Sequence, residues 1–355
     1  TNYMQNTSQK IENILILRTS SLGDICHMLP FVYTLRNEYP NANISWIIGK
    51  NEAEFLQKID GINFVIFDKK HTLKSYLKIA RELKGIKFDV MFLMQVSLRA
   101  NIISLFINSK IKLGYDSERS SDLHSIFSNK KIDSSKHSHV VDVFLSFLSS
   151  INIKKEKFLY SWDISQKVTK KDFFKEHPNL KNEYFVLSPC SRSKNRNWLI
   201  DRYAYVADYI CERYGISCVI SSSKDKFEKD FVEEIIKKMK SSPINFSGKT
   251  NLHELFTLIK NSKLLISPDS GPVHIGTCAG TPVLGLYGVT NTVRAGPYNS
   301  VDLCVDKYNI ALEKFSQKKP EEASWRYKNN HKDVMRLISA DEVIRQIDKF
   351  FSRGK

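Results

Sequence analysis

The chain has 355 residues, 42% hydrophobic and 26% charged, which is long for one core, comfortable for two domains, and a composition that folds. No stretch approaches the apolar length of a bilayer-spanning helix, and no early segment has the basic-then-apolar shape of a secretory signal, so a cytoplasmic protein not integral to a membrane is expected. The net charge is +16, from 54 Lys and Arg against 38 Asp and Glu, which favours a polyanionic partner: nucleic acid, an anionic membrane face or a phosphorylated substrate.

Thr1 to Tyr3 precede Met4 and stay outside the fold argument. From there "NILIL" (13–17) reads as a strand, and His27 to Tyr39 as a helix with Pro30 in its first turn. "ISWIIG" (44–49) and "FVIFD" (64–68) are strands, and "TLKSYLKIARELKG" (72–85) is an amphipathic helix closed by Gly85. "FDVMFLMQ" (88–95) is a strand that feeds "VSLRANIISLFIN". This alternation predicts α/β architecture with a doubly wound parallel sheet. Between about 151 and 182 the pattern dissolves into polar, lysine-rich sequence, where the domain linker is expected.

A second alternation follows, with strands at 184–189, 217–222, 263–268 and 282–288 and helices at 201–215, 229–240 and 252–262. The last segment, "SADEVIRQIDKFFS" (339–352), reads as a helix with Ser339 as N-cap and Glu342 completing a capping box. The expected domains are therefore 11–165, 180–335 and a terminal helix within 336–355. In open α/β sheets ligands bind outside the carboxyl ends of the strands, so the loops directly after strands are the ones to read.

Three such loops carry chemistry. "RTSSLGDICHMLP" (18–30) brings hydroxyls, one glycine and the carboxylate of Asp24, and lacks GxGxxG. "SPCSRSKNRNWL" (188–199) gathers Arg192, Lys194 and Arg196, cations suited to a diphosphate, though a solvated basic loop reads the same way. "SPDSGPVHIG" (267–276) reads as a helix start with Pro272 at the first helical position. Its free N–H groups and dipole favour an anion, while a plain capping turn is the simpler account. His274 lies in that first turn. "SGKT" (247–250) imitates the end of a P-loop, but Pro243 stands where that motif needs glycine.

The six cysteines show no CxxC pairing and fit buried, reduced residues. His137 and His139, with His124 and Asp142 near them in sequence, lack the tighter ligand spacing of a metal centre, so no metal is expected. Lysines are scattered, as in "KKEK" (154–157) and "KVTKK" (167–171); that speaks against a dedicated nucleic-acid groove and fits a solvated surface equally well.

"ILILRTSSLGDICHMLP" (14–30), the long stretch "GKTNLHEL…VLGLYG" (248–288) and "NTVRAGPY" (291–298) together resemble the lipopolysaccharide heptosyltransferases, glycosyltransferase family 9. "SPCSRSKNRNWLIDRYAYVADY" (188–209) and "RAGPY" (294–298) look closest to the heptosyltransferase I subgroup, which adds the first heptose to phosphorylated Kdo. The resemblance implies a GT-B fold: two facing Rossmann-like domains, with the final helix crossing back to the first. It implies an ADP-heptose donor bound mainly by the second domain and a Kdo–lipid A acceptor bound mainly by the first.

Within that resemblance Asp24 matches the catalytic aspartate, suited to take a proton from an acceptor hydroxyl. With an ordinary pKa near ~4 it is ionised at neutral pH. The alternative is a residue that only caps the following helix. Arg196 matches a basic position just before the loop tryptophan, where lysine is commoner, so the choice among Arg192, Lys194 and Arg196 stays open. Ser270 and Gly271 would complete the phosphate cradle, Asp269 would hold heptose hydroxyls, and His274 would face the diphosphate or sugar. Ser20, Ser21 and Gly23 of the first loop, Arg99, and Arg119 with His124 are candidates to bind the acceptor. No cofactor is required and a divalent ion need not be essential. The basic excess would draw the enzyme to the anionic cytoplasmic leaflet.

Other readings are a related transferase acting on a protein or another glycan, a nucleotide-sugar epimerase on the same scaffold, and a nucleic-acid-binding protein. The last lacks RNA-binding aromatic motifs and a helix-turn-helix.

Overall fold

"NILIL" forms strand β1, Asn13–Leu17, and four of its five side chains are buried, as expected of a central parallel strand covered on both faces. In the computed structural model, which describes residues 10–116, 119, 124–133, 139–180 and 182–353, the chain divides into two compact units. One comprises Thr1–His137 and Val141–Ser165, the other Ser138–Val140 and Gln166–Lys355. The division at 165/166 falls inside the polar stretch expected to be the linker.

The first unit continues with α1 (Leu22–Glu38), β2 (Asn43–Gly49), α2 (Lys50–Leu56), β3 (Ile62–Phe67), α3 (Thr72–Glu82) and β4 (Lys87–Leu93). Then come α4 (Leu98–Leu105), β5 (Asn108–Gly114), α5 (His124–Phe127), β6 (Lys130–Lys131) and α6 (Val140–Ser149). Its six strands are parallel in the order β3-β2-β1-β4-β5-β6. One face of the sheet packs Leu15, Val65 and Met91 under Ile79 and Leu83 of the α3 region and Ala100 and Ile103 of α4.

The second unit holds α7 (Lys170–Glu176), β7 (Tyr184–Leu187), α8 (Ile200–Tyr214), β8 (Ser217–Ile220), α9 (Lys226–Lys238), β9 (Ile244–Asn245) and α10 (Leu252–Lys260). It ends with β10 (Leu265–Pro268), α11 (Gly271–Ala279), β11 (Val283–Tyr287), α12 (Thr292–Ala295), β12 (Val305–Asp306), α13 (Tyr308–Ala311) and α14 (Ala340–Ser352). The order β12-β11-β10-β7-β8-β9 repeats the topology of the first sheet, again all parallel. Each unit thus has the strand order of a dinucleotide-type fold, with a topological switch point between its first and fourth strands.

Several details differ from the sequence reading. Helix α1 starts at Leu22, five residues before the expected His27, because Ser21 and Asp24 form a capping box there. Pro30 is therefore inside the helix rather than in its first turn. Pro272 is the second residue of α11, after Gly271. Strand β5, "NSKIKLG", was not anticipated because it mixes polar and apolar residues, and α6, "VVDVFLSFLS", because a short, nearly continuous apolar run has no clear period. The polar linker carries α7, whose Phe173 is buried.

The Ser339–Glu342 capping box of α14 is present as expected. That helix, expected to cross back to the first domain, buries Val343 and Ile347 in the core of the second unit. There Asp348 accepts hydrogen bonds from the hydroxyls of Tyr209 and Tyr214 on α8.

Candidate active site

At the switch point of the first sheet, β1 runs into Arg18 and Thr19, and β4 into Met94 and Gln95. Gln95 Oε1 accepts from the Thr19 N–H at 2.7 Å and from its hydroxyl at 3.0 Å, which ties the two loops together. Gln95 Nε2 donates to Ser97 Oγ at 3.2 Å, and that oxygen caps α4 by accepting from the Ala100 N–H. Gly49 closes β2 beside this point. A Cβ there would stand 2.3 Å from the Thr19 carbonyl oxygen, so only glycine lets the backbones approach.

Asp24 occupies the first turn of α1. Its Oδ2 accepts from Ser21 Oγ at 3.1 Å and Ser21 N at 3.4 Å, and forms a 2.7 Å ion pair with Arg18 Nη2. Arg18 Nη1 in turn donates to the Met94 carbonyl and to the Tyr115 hydroxyl, and the guanidinium lies 5.1 Å from the centre of the Phe144 ring. Burial alone would lower the Arg18 guanidinium, but Asp24 and Tyr115 outweigh it and hold it above its ordinary value. The cation is therefore permanent. Asp24 is thus both a capping residue and a held, partly exposed carboxylate at the carboxyl end of a sheet.

The other residues expected on this unit are dispersed. Ser20 and Ser21 are in the same loop, and Gly23 is buried in the first turn of α1. Arg99 is half-buried on α4, with its guanidinium 5.4 Å from the centre of the Phe67 ring. Arg119 is buried and paired with Asp116 at 2.6 Å. The side chain of His124 lies outside the described residues, as does His137.

The second switch point lies between β7 and β10. The loop after β7 is anchored by Trp198, whose indole N–H donates to the Ile338 carbonyl at 3.0 Å, and by Asn197, whose Oδ1 accepts from the Ser191 N–H at 2.7 Å. Of its three cations, Arg196 reaches the neighbouring loop. Its Nη1 stands 3.0 Å from Asp269 Oδ2, both side chains being largely buried. Lys194 instead lies over the Phe227 ring at 4.0 Å, and Arg192 is exposed. The buried Nε of Arg196 and Nδ2 of Asn197 meet no acceptor among the described residues, so this loop offers spare N–H donors suited to an anion.

After β10, Ser270 is the N-cap of α11 and its hydroxyl meets that of Ser267 at 2.8 Å, leaving the first-turn N–H groups without a side-chain cap. A Cβ added at Gly271 would meet nothing within 4 Å, so the approach to this helix end is open. His274 is buried in the same first turn. Tyr287, at the end of β11, backs this corner. Burial first and the Asp269 charge second push its hydroxyl well above the ordinary range, while Arg196 pulls it down. In the "RAGPY" stretch the Gly296 carbonyl accepts from His139 Nε2 at 2.9 Å.

Arg18, Gln95, Tyr115 and Tyr287 were missed in the sequence. Arg18 and Tyr287 end or directly follow strands, and Gln95 stands two residues past β4. Once the strand order is known, that placement is the signal that finds them. Among the described residues no group of three His, Cys, Asp or Glu side chains gathers to hold a metal ion. No helix among them is long and apolar enough to cross a membrane.

Comparison with known proteins gives a consistent answer. The model of glycosyltransferase family 9 (heptosyltransferase) matches residues 76–324. The lipopolysaccharide core heptosyltransferase OpsX of Haemophilus influenzae is 37% identical over 338 residues, covering 95% of this chain and 96% of that protein. The crystal structure of a family 9 glycosyltransferase from Veillonella parvula superposes with a TM-score of 0.78 at 22% identity, over 97% of this chain and 99% of that one. The Escherichia coli heptosyltransferase WaaC with ADP gives 0.67 at 16% identity, over 95% and 97%. The two Rossmann-like units are those of a GT-B fold, and the chain belongs to glycosyltransferase family 9, the heptosyltransferases.

Proposed function

We propose that this enzyme transfers heptose from ADP-heptose to Kdo of lipid A, in phosphorylated form, during synthesis of the lipopolysaccharide core, and that it inverts the anomeric carbon. The observation that carries the reading is the pair of switch-point sites. One presents a carboxylate held by an arginine, Asp24 with Arg18; the other an arginine held by a carboxylate, Arg196 with Asp269, beside the open amino end of α11.

In this reading the acceptor binds the first unit. Asp24 receives the proton of the attacking hydroxyl as its oxygen bonds to the anomeric carbon. The bond from that carbon to the diphosphate oxygen breaks, and its electron pair leaves with ADP. The charge that grows on the leaving diphosphate falls to Arg196, to Lys194 and Arg192 around it, and to the N–H groups of Ser270, Gly271 and their neighbours. Asp269, while orienting Arg196, takes the heptose hydroxyls, and His274 faces the diphosphate or sugar. Ser20, Ser21, Gly23, Arg99, Arg119 and His124 belong to the acceptor side. Cationic side chains replace a divalent ion, which is not essential. One displacement inverts configuration. Such an enzyme works at the cytoplasmic face of the membrane that bears its acceptor.

The test offers ADP-heptose with phosphorylated Kdo–lipid A and, in parallel, unphosphorylated Kdo₂–lipid A. A clear preference for the phosphorylated acceptor is expected. Equal turnover, or ADP release without a heptosylated product on either, overturns the assignment of this step.

A further inference from the structure

Thirteen large hydrophobic side chains are exposed among the described residues, and six of them fall on one face of one unit: Leu73, Leu77, Leu98, Leu105, Phe106 and Ile126. They belong to α3, α4 with its C-cap residue, and α5. Residues of these helices cover the same face of the first sheet through Ile79, Ala100, Ile103 and Phe127. Tyr76 of α3 meets Phe106, the C-cap residue of α4, with ring centres 6.5 Å apart, so the two helices meet at that point. Leu73 is 73% exposed, Leu98 69% and Ile126 74%. Helix α3 alone buries only Ser75 and Ile79.

Cations flank the leucines. On α3 Lys74 and Lys78 stand four residues apart beside the row Leu73, Leu77, Arg81, with Lys70 in the turn just before the helix, and all three lysines are exposed. The only acidic residue of α3 is Glu82, which pairs with Lys78 at 3.5 Å. Exposed leucines interleaved with lysines on a helix that lies flat against its domain are the make-up of an interfacial surface. The opposite charge it calls for is that of an anionic lipid headgroup layer, to which each lysine contributes about fivefold in affinity. The face also adjoins the first switch point, since Leu98 and Arg99 open α4 three and four residues after Gln95 and the Gln95 amide bonds to the α4 cap.

We propose that the α3–α4 face docks this enzyme on an anionic bilayer and thereby presents the first switch point to an acceptor embedded in that bilayer. The second half of this inference rests on the lipid-borne acceptor of the preceding section; the docking itself does not.

The test is co-sedimentation of the full chain with phosphatidylcholine vesicles, with and without one part in three of phosphatidylglycerol. The wild-type chain is expected to bind the anionic vesicles only, and less in high salt. K74E/K78E should weaken that binding by about 30-fold or more, and L73S/L77S should weaken it with the same fold and melting temperature. K154E/K155E, an equal charge change at two exposed residues elsewhere, should bind nearly as wild type. The proposal is overturned if the wild-type chain stays in solution, or if K154E/K155E loses as much as K74E/K78E. It is also overturned if L73S/L77S changes only the oligomeric state, which would give the face to a second copy. A water-soluble acceptor without acyl chains separates the two readings: K74E/K78E should turn it over at the wild-type rate. A wild-type enzyme inactive on every Kdo acceptor would sink the proposed reaction while leaving the vesicle result standing.

Discussion

Arg18 and Asp24 form a 2.7 Å ion pair whose two halves are fixed from different elements: Arg18 by the Met94 carbonyl at the end of β4 and by Tyr115, Asp24 by the first turn of α1. The pair couples the direction of a carboxylate to the switch point of a sheet. A residue that caps a helix and a residue that accepts a proton make different demands, and substitutions separate them.

Asp24→Asn keeps the size of the side chain and removes the base. Transfer should fall by about 10²- to 10⁴-fold, with ADP affinity nearly unchanged. Asp24→Ala should add a loss of the capping interaction worth about 1 kcal/mol. Activity assays with thermal melts check this. Transfer retained by Asp24→Asn, together with a lower melting temperature, would leave Asp24 with the capping role alone.

Arg18 acts through Asp24. Arg18→Met should lower turnover more than it raises the acceptor KM. Arg18→Lys should recover part of the turnover, because it restores charge without the second contact to Met94. Breaking a partly buried pair also costs about 2 kcal/mol of stability. In an Asp24→Asn background Arg18→Met should cause no further loss of turnover, which a double-mutant cycle measures.

On the second unit Arg196 should carry most of the diphosphate contact. Arg196→Ala is expected to weaken ADP binding by about tenfold or more, as loss of a charge-assisted hydrogen bond does. Arg192→Ala, at an exposed position, should change it less than about threefold. Titration calorimetry with ADP orders the three cations, and a larger loss at Arg192 than at Arg196 would reassign the contact.

How far the sequence led can be judged at these loops. The alternation of apolar runs placed β1, β7 and β10, because strands buried on both faces are continuous in sequence and their loops follow at once. That made Asp24, Arg196 and Asp269 legible. The pairings were not. Nothing local brings Arg18 to the Met94 carbonyl or Arg196 to Asp269, separated by 76 and 73 positions; only the strand order sets those loops side by side. Pairing also sets the surroundings of other candidates. Arg119 is a lone cation in the sequence and a buried partner of Asp116 in the fold, a pairing that leaves its candidacy on the acceptor side open to test.

Asp89 offers a pH test at the opposite end of the first sheet. Lys110 Nζ at 2.8 Å and the N–H groups of Glu12 and Asn13 converge on its carboxylate. Burial would raise the carboxyl, but these donors hold it below the ordinary range. A lowered folded pKa contributes stability that is complete above about pH 4 and lost as pH falls through the folded value. Asp89→Asn should cost about 1 to 2 kcal/mol at pH 7 and flatten the acid end of the profile. Urea unfolding at pH 7 and pH 3 reads both, and an unchanged slope would contradict the role.

Asp348 anchors α14 through the hydroxyls of Tyr209 and Tyr214. Burial first and the carboxylate second push the Tyr214 hydroxyl up to about 12. Asp348→Ala should destabilise by about 1 to 3 kcal/mol, while turnover at low temperature stays as in the wild type. An equal melting temperature in the two chains would show that α14 is held by its apolar face alone.

The central claim is tested most directly by the mass of the acceptor. Phosphorylated Kdo–lipid A is incubated with ADP-heptose and either the wild-type chain or Asp24→Asn, and the products are weighed by mass spectrometry. A gain of one heptose with the wild type, and almost none with Asp24→Asn, is the predicted result. An unchanged acceptor with the wild-type chain, or an equal gain with both, would contradict it.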